Sequence, residues 1–304
     1  MTLVSIVIPH FNRAETMTRC LNSVLTQSYQ NYECLVIDDG SKEEELQLLK
    51  RIIETLNDRR FRLILHVDNK GGGAARNTGI ENAKGEFIAF LDSDDEWRSD
   101  KLSKQLSFMI DNSIEFSACQ SEVHYAHGVN CMPLFPPRSG QGAADYLFVD
   151  GGWLPTPSLM VRRQDIASIR FDESLPRHQD YDFILALEKK GISPSVMMES
   201  LVVVHWEDMH SSGRAHNVMN SIKFLNNRSA QFSKRASSCF WVQFVVIPSI
   251  ILEGRLTGLH QLRKTTMHFV FANKNLALNV FSHILFCDGR ILRWAHKIIR
   301  SKRN

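Results

Sequence analysis

Three carboxylates in four positions, Asp92, Asp94 and Asp95, follow directly on the apolar run Phe87-Ile88-Ala89-Phe90-Leu91. A buried strand that delivers clustered like charge needs a positive partner. A hard divalent cation suits it, because Mg²⁺-type ions take one or two protein carboxylates and leave their other positions to water and substrate phosphate. Taken alone, a D-x-D is more often an acidic loop that caps the next helix. Here it is one of several polar clusters with complementary chemistry. Gly71-Gly72-Gly73-Ala74-Ala75-Arg76-Asn77 combines glycines, which let a backbone approach a ligand closely, with an arginine able to give paired hydrogen bonds to phosphate. Pro9-His10-Phe11-Asn12 offers an aromatic face, Asp38-Asp39-Gly40-Ser41 a second pair of carboxylates, and Gln179-Asp180-Tyr181-Asp182 a third. No Gly-Lys-Ser/Thr follows the glycines, which excludes a P-loop, and the first loop lacks the G-x-G-x-x-G dinucleotide fingerprint.

The elements that must position these clusters alternate. Val4-Ser5-Ile6-Val7-Ile8 is a β-branched run, and Met17, Leu21, Val24 and Leu25 then recur at helical spacing. Cys34-Leu35-Val36-Ile37 is a second strand, with Leu46, Leu49, Ile53 and Leu56 marking the helix after it. A third strand, Arg62 to His66, precedes the glycines and a short helix to about Ala83, and the fourth ends at Asp92. Strands alternating with helices imply an α/β fold on a largely parallel sheet, with ligands at the carboxyl ends of the strands. Every cluster in this first half falls at that end.

In order and spacing, Val4 to Asn12, Ile37-Asp38-Asp39-Gly40-Ser41, Gly73-Ala74-Ala75-Arg76-Asn77 and Leu91-Asp92-Ser93-Asp94-Asp95 resemble the nucleotide-sugar motifs of the inverting family-2 glycosyltransferases with the GT-A fold. Phe171-Asp172-Glu173-Ser174-Leu175 and Gln179-Asp180-Tyr181-Asp182-Phe183 are similar to that family's acceptor-side segment, and the resemblance spans about residues 3 to 213. It implies a mostly parallel central sheet flanked by helices, and an enzyme that moves a sugar from a nucleotide donor, a UDP-sugar first among them, to a hydroxyl of a lipid-linked surface glycan. Residue by residue it places Pro9, Phe11, Asn12, Asp39, Gly73, Arg76, Asn77, Asp92 and Ser93 on the nucleotide-sugar. Phe11 would stack on the base, where the family usually has tyrosine; the competing reading is a core phenylalanine. Asp39 would accept a uracil N–H, with Asp38 a turn or capping residue. Asp92 would hold the ribose and Asp94 a divalent metal, Mg²⁺ or Mn²⁺, with Asp95 a second ligand or a helix cap. Asp180 would be the general base, although Gln179 replaces the usual preceding glutamate. Trp153 and Thr156, in Trp153-Leu154-Pro155-Thr156-Pro157-Ser158, would lie under the acceptor, with a structural tryptophan as the alternative. His205 would reach the metal or diphosphate, without the arginine that usually precedes it; an ordinary hydrogen-bonded histidine is the alternative, and His210 is a weaker candidate. Two other classes remain in view: a sugar-1-phosphate nucleotidyltransferase, which should carry a glycine-rich basic signature after the first strand, and a non-catalytic sugar-nucleotide-binding module, which should have lost Asp94 or Asp180.

Composition sets the frame. In 304 residues, 43% hydrophobic, there is core enough for one large domain and an appendage. A formal charge of +3 gives no case for nucleic acid as a partner. The six cysteines show no metal spacing and read as core thiols of a reducing cytosol. No secretory signal is visible at the N-terminus. The expected organisation is a transferase domain over 1–213, with a nucleotide-sugar half to about 95 and an acceptor half over 96–213, then a helical extension over 214–304. Within the extension, Cys239 to Leu252 is too short an apolar run to cross a bilayer and reads as buried or interfacial. Ile291, Trp294, Ala295, Ile298 and Ile299 form an apolar stripe among Arg290, Arg293, Lys297 and Arg300. That pattern fits a helix lying on an anionic membrane surface, here the inner face of a bacterial membrane, or one packed on the domain.

Overall fold

The computed structural model describes residues 1–125, 128–206 and 217–249. Its first half is the alternation the apolar periods imply: β1 (Val4–His10), α1 (Ala14–Leu25), β2 (Tyr32–Asp38), α2 (Glu43–Leu56), β3 (Phe61–Leu65), α3 (Gly72–Asn82) and β4 (Phe87–Phe90). β1 pairs in parallel with both β2 and β4, and β2 in parallel with β3. The strands read as unbroken apolar runs because both faces are covered. Val4, Ile6 and Ile8 of β1 pack with Met17, Leu21 and Val24 of α1. On the other face Val7 and Ile37 meet α3 so closely that a Cβ at Gly79 would lie 2.2 Å from Val7 Cγ1. Glycine at 79 is therefore what lets α3 lie on the sheet.

After β4 come β5 (Glu96–Trp97), α4 (Lys101–Asp111), β6 (Phe116–Tyr125), β7 (Gly128–Met132), α5 (Ala143–Phe148), β8 (Leu159–Arg162), α6 (Gln179–Lys189) and β9 (Ser195–His205). The sheet order is β3-β2-β1-β4-β8-β6-β9-β5, with β7 on β6. β8 runs antiparallel to both β4 and β6, whereas β6 and β9 are parallel. The sheet is thus parallel from β1 through β4 and mixed beyond them. Because β9 runs parallel to β6, His205 sits opposite His124.

The chain divides into two compact units, Met1–Ala143 with Gly152–Gly213, and Ala144–Gly151 with Arg214–Asn304. The second unit takes a short piece from within the stretch that the sequence assigns to the transferase domain. The reason is aromatic: Phe148 of α5 stacks on Phe232 at 5.1 Å and meets Phe240 edge-on at 5.0 Å. Ser233, ahead of α8 (Lys234–Trp241), donates to Asp145 at 2.7 Å. α7 (Val218–Arg228) adds Phe224 to the cluster. In the Cys239 to Leu252 run, Cys239, Phe240, Val242, Val245 and Val246 are buried. Among the described residues no helix is long and apolar enough to cross a membrane. The basic stripe around Trp294 and His210 lie outside the described residues. Of the described cysteines, Cys20, Cys34, Cys119 and Cys239 are buried, but Cys131 on β7 is exposed and is not a core thiol.

Candidate active site

The carboxyl ends of β1 and β2 are tied together by side chains. His10, 1% exposed, meets Asp38 at 2.8 Å, and Asp38 also accepts the Ser41 N–H at 3.1 Å. Burial works to raise the Asp38 carboxyl, but the hydrogen bonds from His10 and Ser41 outweigh it and hold it below the usual range. Asn12, at φ 48°, donates its N–H to the Ser41 hydroxyl and accepts the Lys42 N–H at 2.8 Å. Its amide oxygen therefore braces the loop instead of facing a ligand. Pro9 lies within the β1–β2 ladder, opposite Ile37. Phe11 stands out from this braced loop at 44% exposure, which removes the core reading and leaves its ring available for stacking.

Asp39 is 2% exposed and already engaged. It meets His66 at 2.7 Å and accepts the N–H groups of Lys70 at 2.9 Å and Gly71 at 2.7 Å. His66 in turn reaches the Thr78 hydroxyl at 2.9 Å. Asp39 thus shapes the glycine corner that starts α3. Gly71 has φ 93°, and Gly72 and Gly73 bring the helix start against Gln179. Four residues on, Arg76 donates to Asp92 at 2.5 Å and to Gln179 at 3.0 Å, over the Phe171 ring. Asn77, expected on the nucleotide, is engaged by the protein's own groups. Its amide donates to the Phe171 carbonyl at 2.9 Å and to Glu173 at 2.8 Å, while its oxygen accepts the Phe171 N–H at 2.9 Å. Buried and saturated, it clamps α3 to the segment that leads into α6.

In the acidic turn, Asp92 and Asp94 keep 27% and 18% of their side chains exposed, whereas Asp95 is buried. Asp95 accepts the His205 N–H at 3.0 Å, and burial, with Asp94 and Asp92 beside it, pushes its carboxyl well up. It is a strut between this turn and the end of β9. Asp94 is ion-paired with Arg13. Arg19 donates to the Asp94 carbonyl at 2.6 Å and Thr16 to that of Ser93 at 2.7 Å. Arg13 and Arg19 escaped sequence reasoning because a lone arginine beside a motif carries no signal until β1 and β4 are known to be neighbours. Ser93 is 9% exposed and packs under α1. His205 Nε2 meets Glu96 at 2.8 Å, so that nitrogen already has a protein partner.

At the start of α6, Phe171 and Phe183 stack at 4.3 Å with Phe90 edge-on to both, which ties the start of α6 to β4. Asp180 lies in the first turn of that helix, partly exposed, with Oδ1 accepting the Tyr181 N–H at 2.9 Å. Burial pushes its carboxyl up to about 6, against the pull of the Tyr181 N–H and Arg76. Trp153 is half-buried, 5.6 Å from Trp206, which meets Tyr125 edge-on. Thr156 is 6% exposed, inside a turn whose Pro157 carbonyl accepts the Trp97 indole N–H at 2.8 Å. It lies under the loop and not on its surface.

Among the described residues no three His, Cys, Asp or Glu side chains gather as a ready metal cage. The chemistry at Asp94 still fits a hard cation, since its carboxylate is partly exposed and such an ion would draw its remaining ligands from water and phosphate. The match to known proteins decides the family. Residues 5–167 match the model of Glycosyl transferase family 2. The chain belongs to that family. The transferase is 31% identical over 242 residues to the amylovoran biosynthesis glycosyltransferase AmsB of Erwinia amylovora, covering 76% of this chain and 79% of that one. It is 43% identical over 114 residues, 38% of this chain and 44% of the other, to the UDP-Glc:alpha-D-GlcNAc-diphosphoundecaprenol beta-1,3-glucosyltransferase WfgD of Escherichia coli. In architecture it resembles S. aureus TarS 1-349 in complex with UDP, at TM-score 0.62 and 18% identity, over 96% of this chain and 92% of that one. At that identity the likeness shows the fold, GT-A, and the nucleotidyltransferase and binding-module readings give way to a glycosyltransferase.

Proposed function

We propose that the transferase moves a sugar from a UDP-sugar to a hydroxyl of a lipid-linked glycan, with inversion at the anomeric carbon and help from a divalent metal. The observation that carries this reading is the place of Asp180, a partly exposed carboxylate in the first turn of α6 close to Arg76 and Asp92, where burial raises its carboxyl to about 6. A general base works best when its pKa lies near the operating pH, so Asp180 is largely ionised at neutral pH and still takes a proton readily. It receives the acceptor hydroxyl proton as that oxygen attacks the anomeric carbon and the bond to the diphosphate oxygen breaks on the opposite face. Phe11 holds the base, Arg76 and the glycine corner face the diphosphate, and Asp92 the ribose. Asp39, Asn12 and Asn77 act through the backbone they brace. Asp94 would hold the metal, with His205 nearby only if it releases Glu96; when bound, the ion neutralises charge on the leaving diphosphate. The name of WfgD supports a diphosphoundecaprenol-linked glycan as the acceptor and UDP as the carrier nucleotide. The acceptor would then be met at a membrane surface, on its cytoplasmic side.

Asp180→Asn tests the assignment, since it keeps shape and removes the proton acceptor. Turnover should fall by roughly 10² or more with UDP affinity near wild type. Loss of UDP binding with normal turnover of bound donor would remove Asp180 from the reaction. NMR of the product anomer reads inversion directly.

A further inference from the structure

Two arginines grip the acidic turn from opposite faces of the sheet. Arg76, on α3, takes Asp92 at 2.5 Å, and Arg13, at the start of α1, takes Asp94. We propose that Arg13 is a ligand of the donor diphosphate that rests on Asp94 until a divalent cation claims that carboxylate. This inference builds on the metal reading of Asp94.

A guanidinium in contact with Asp94 and a doubly charged cation on the same carboxylate repel one another, so the two compete for it. The nearest chemistry that suits a displaced guanidinium is the diphosphate the cation brings, since arginine binds phosphate oxygens with paired, charge-assisted hydrogen bonds. The pair is reachable, at 20% and 18% side-chain exposure. The exchange asks for side-chain rotation alone, because the backbone on both sides is held. The Arg13 N–H lies 3.4 Å from His10 Nε2, its carbonyl accepts from Thr16 at 3.1 Å, and Asn12 beside it is bonded to Ser41 and Lys42. Across the gap, Arg19 and Thr16 hold the Asp94 and Ser93 carbonyls while the Asp94 carboxylate changes partner. Arg13 also lies two residues from Phe11, the exposed ring of the same braced loop.

The consequence is linkage: nucleotide draws Arg13 off Asp94 and so strengthens metal binding, and metal strengthens nucleotide binding by the same factor. Mn²⁺ binding to the full chain, read from the EPR signal of free Mn²⁺ with and without UDP, tests it. Wild type should bind Mn²⁺ about tenfold tighter when UDP is present. Arg13→Gln should bind Mn²⁺ alone about tenfold tighter than wild type, yet bind UDP at saturating Mn²⁺ about tenfold weaker. Arg13→Lys, which keeps the charge and loses the fork, should fall between, and it carries the test if the glutamine variant does not fold. Unchanged Mn²⁺ affinity in Arg13→Gln without UDP, or unchanged UDP affinity with Mn²⁺, overturns the proposal. Asp94→Asn separates the two layers. If it abolishes Mn²⁺ binding while the Arg13 variants are silent, only the exchange falls; if it leaves Mn²⁺ binding intact, the metal reading falls with it.

Discussion

Asp180 titrates where it does because burial opposes its ionisation more strongly than Arg76 and the Tyr181 N–H favour it. A base must be ionised to act, so turnover of saturated enzyme should be flat above neutrality and fall as pH drops through about 6, tenfold per unit. A turnover profile with no acid limb between about pH 5 and 7 would show that another group takes the proton. The residue type and its place at a helix start were legible in Gln179-Asp180-Tyr181-Asp182. Its pKa was not, since burial comes from neighbours far away in sequence. Asn12, Asp39 and Asn77 show another gap: nothing in their motifs signals that these side chains are bonded to the protein's own backbone.

Among the elements, α3 and α6 carry the site, and Asn77 is the pin between them. Truncating it to Ala leaves the Phe171 N–H and carbonyl without the partners that Asn77 supplies, which should cost on the order of 2–3 kcal/mol in urea unfolding. Because Phe171 stacks on Phe183 of α6, turnover should suffer more than UDP affinity in the protein that remains folded. A change in UDP affinity with unaltered stability would return Asn77 to the nucleotide. The strands and helices of the first half were readable because their apolar periods are local. β8 was not, since its antiparallel insertion between β4 and β6 depends on partners dozens of residues away.

For the molecule as a whole, Lys101 links stability to pH. It is fully buried at the first turn of α4, its ammonium 3.8 Å from the Trp97 ring centre and with no hydrogen-bond partner among the described residues. Burial lowers its pKa to about 7, against 10.5 for a free lysine, with Cys119 opposing. Below pH 7 both folded and unfolded chains carry the proton and the cost of the buried charge is present in full. Between about 7 and 10.5 the unfolded chain holds a proton that the folded one has released, so the contribution of Lys101 to stability should rise with pH across that window. Lys101→Met should flatten the rise and stabilise the protein near pH 6, by on the order of 1 kcal/mol or more in urea unfolding. An unchanged slope would mean that the charge is compensated, by the Trp97 face among others. The basic, Trp-bearing stripe from Arg290 to Arg303 bears on place. If it binds an anionic surface, a chain ending at Asp288 should lose flotation with anionic vesicles at low salt, and salt should weaken the full chain likewise. Equal flotation of both chains would rule that out.

The α/β alternation, the place of the first-half polar clusters at the carboxyl ends of strands, and the family were all legible in the chain, because apolar periodicity and short motifs are properties of contiguous residues. Only the tertiary structure decided which members of those motifs face open space. Phe11, Asp92, Asp94 and Asp180 keep exposure, while Asn12, Asp39, Asn77 and Asp95 are spent on bracing. It alone set Arg13 against Asp94, because that contact spans 81 positions and exists only where β1 and β4 lie side by side. Exposure and pairing are sums over neighbours that the fold assembles, and no run of consecutive residues contains them.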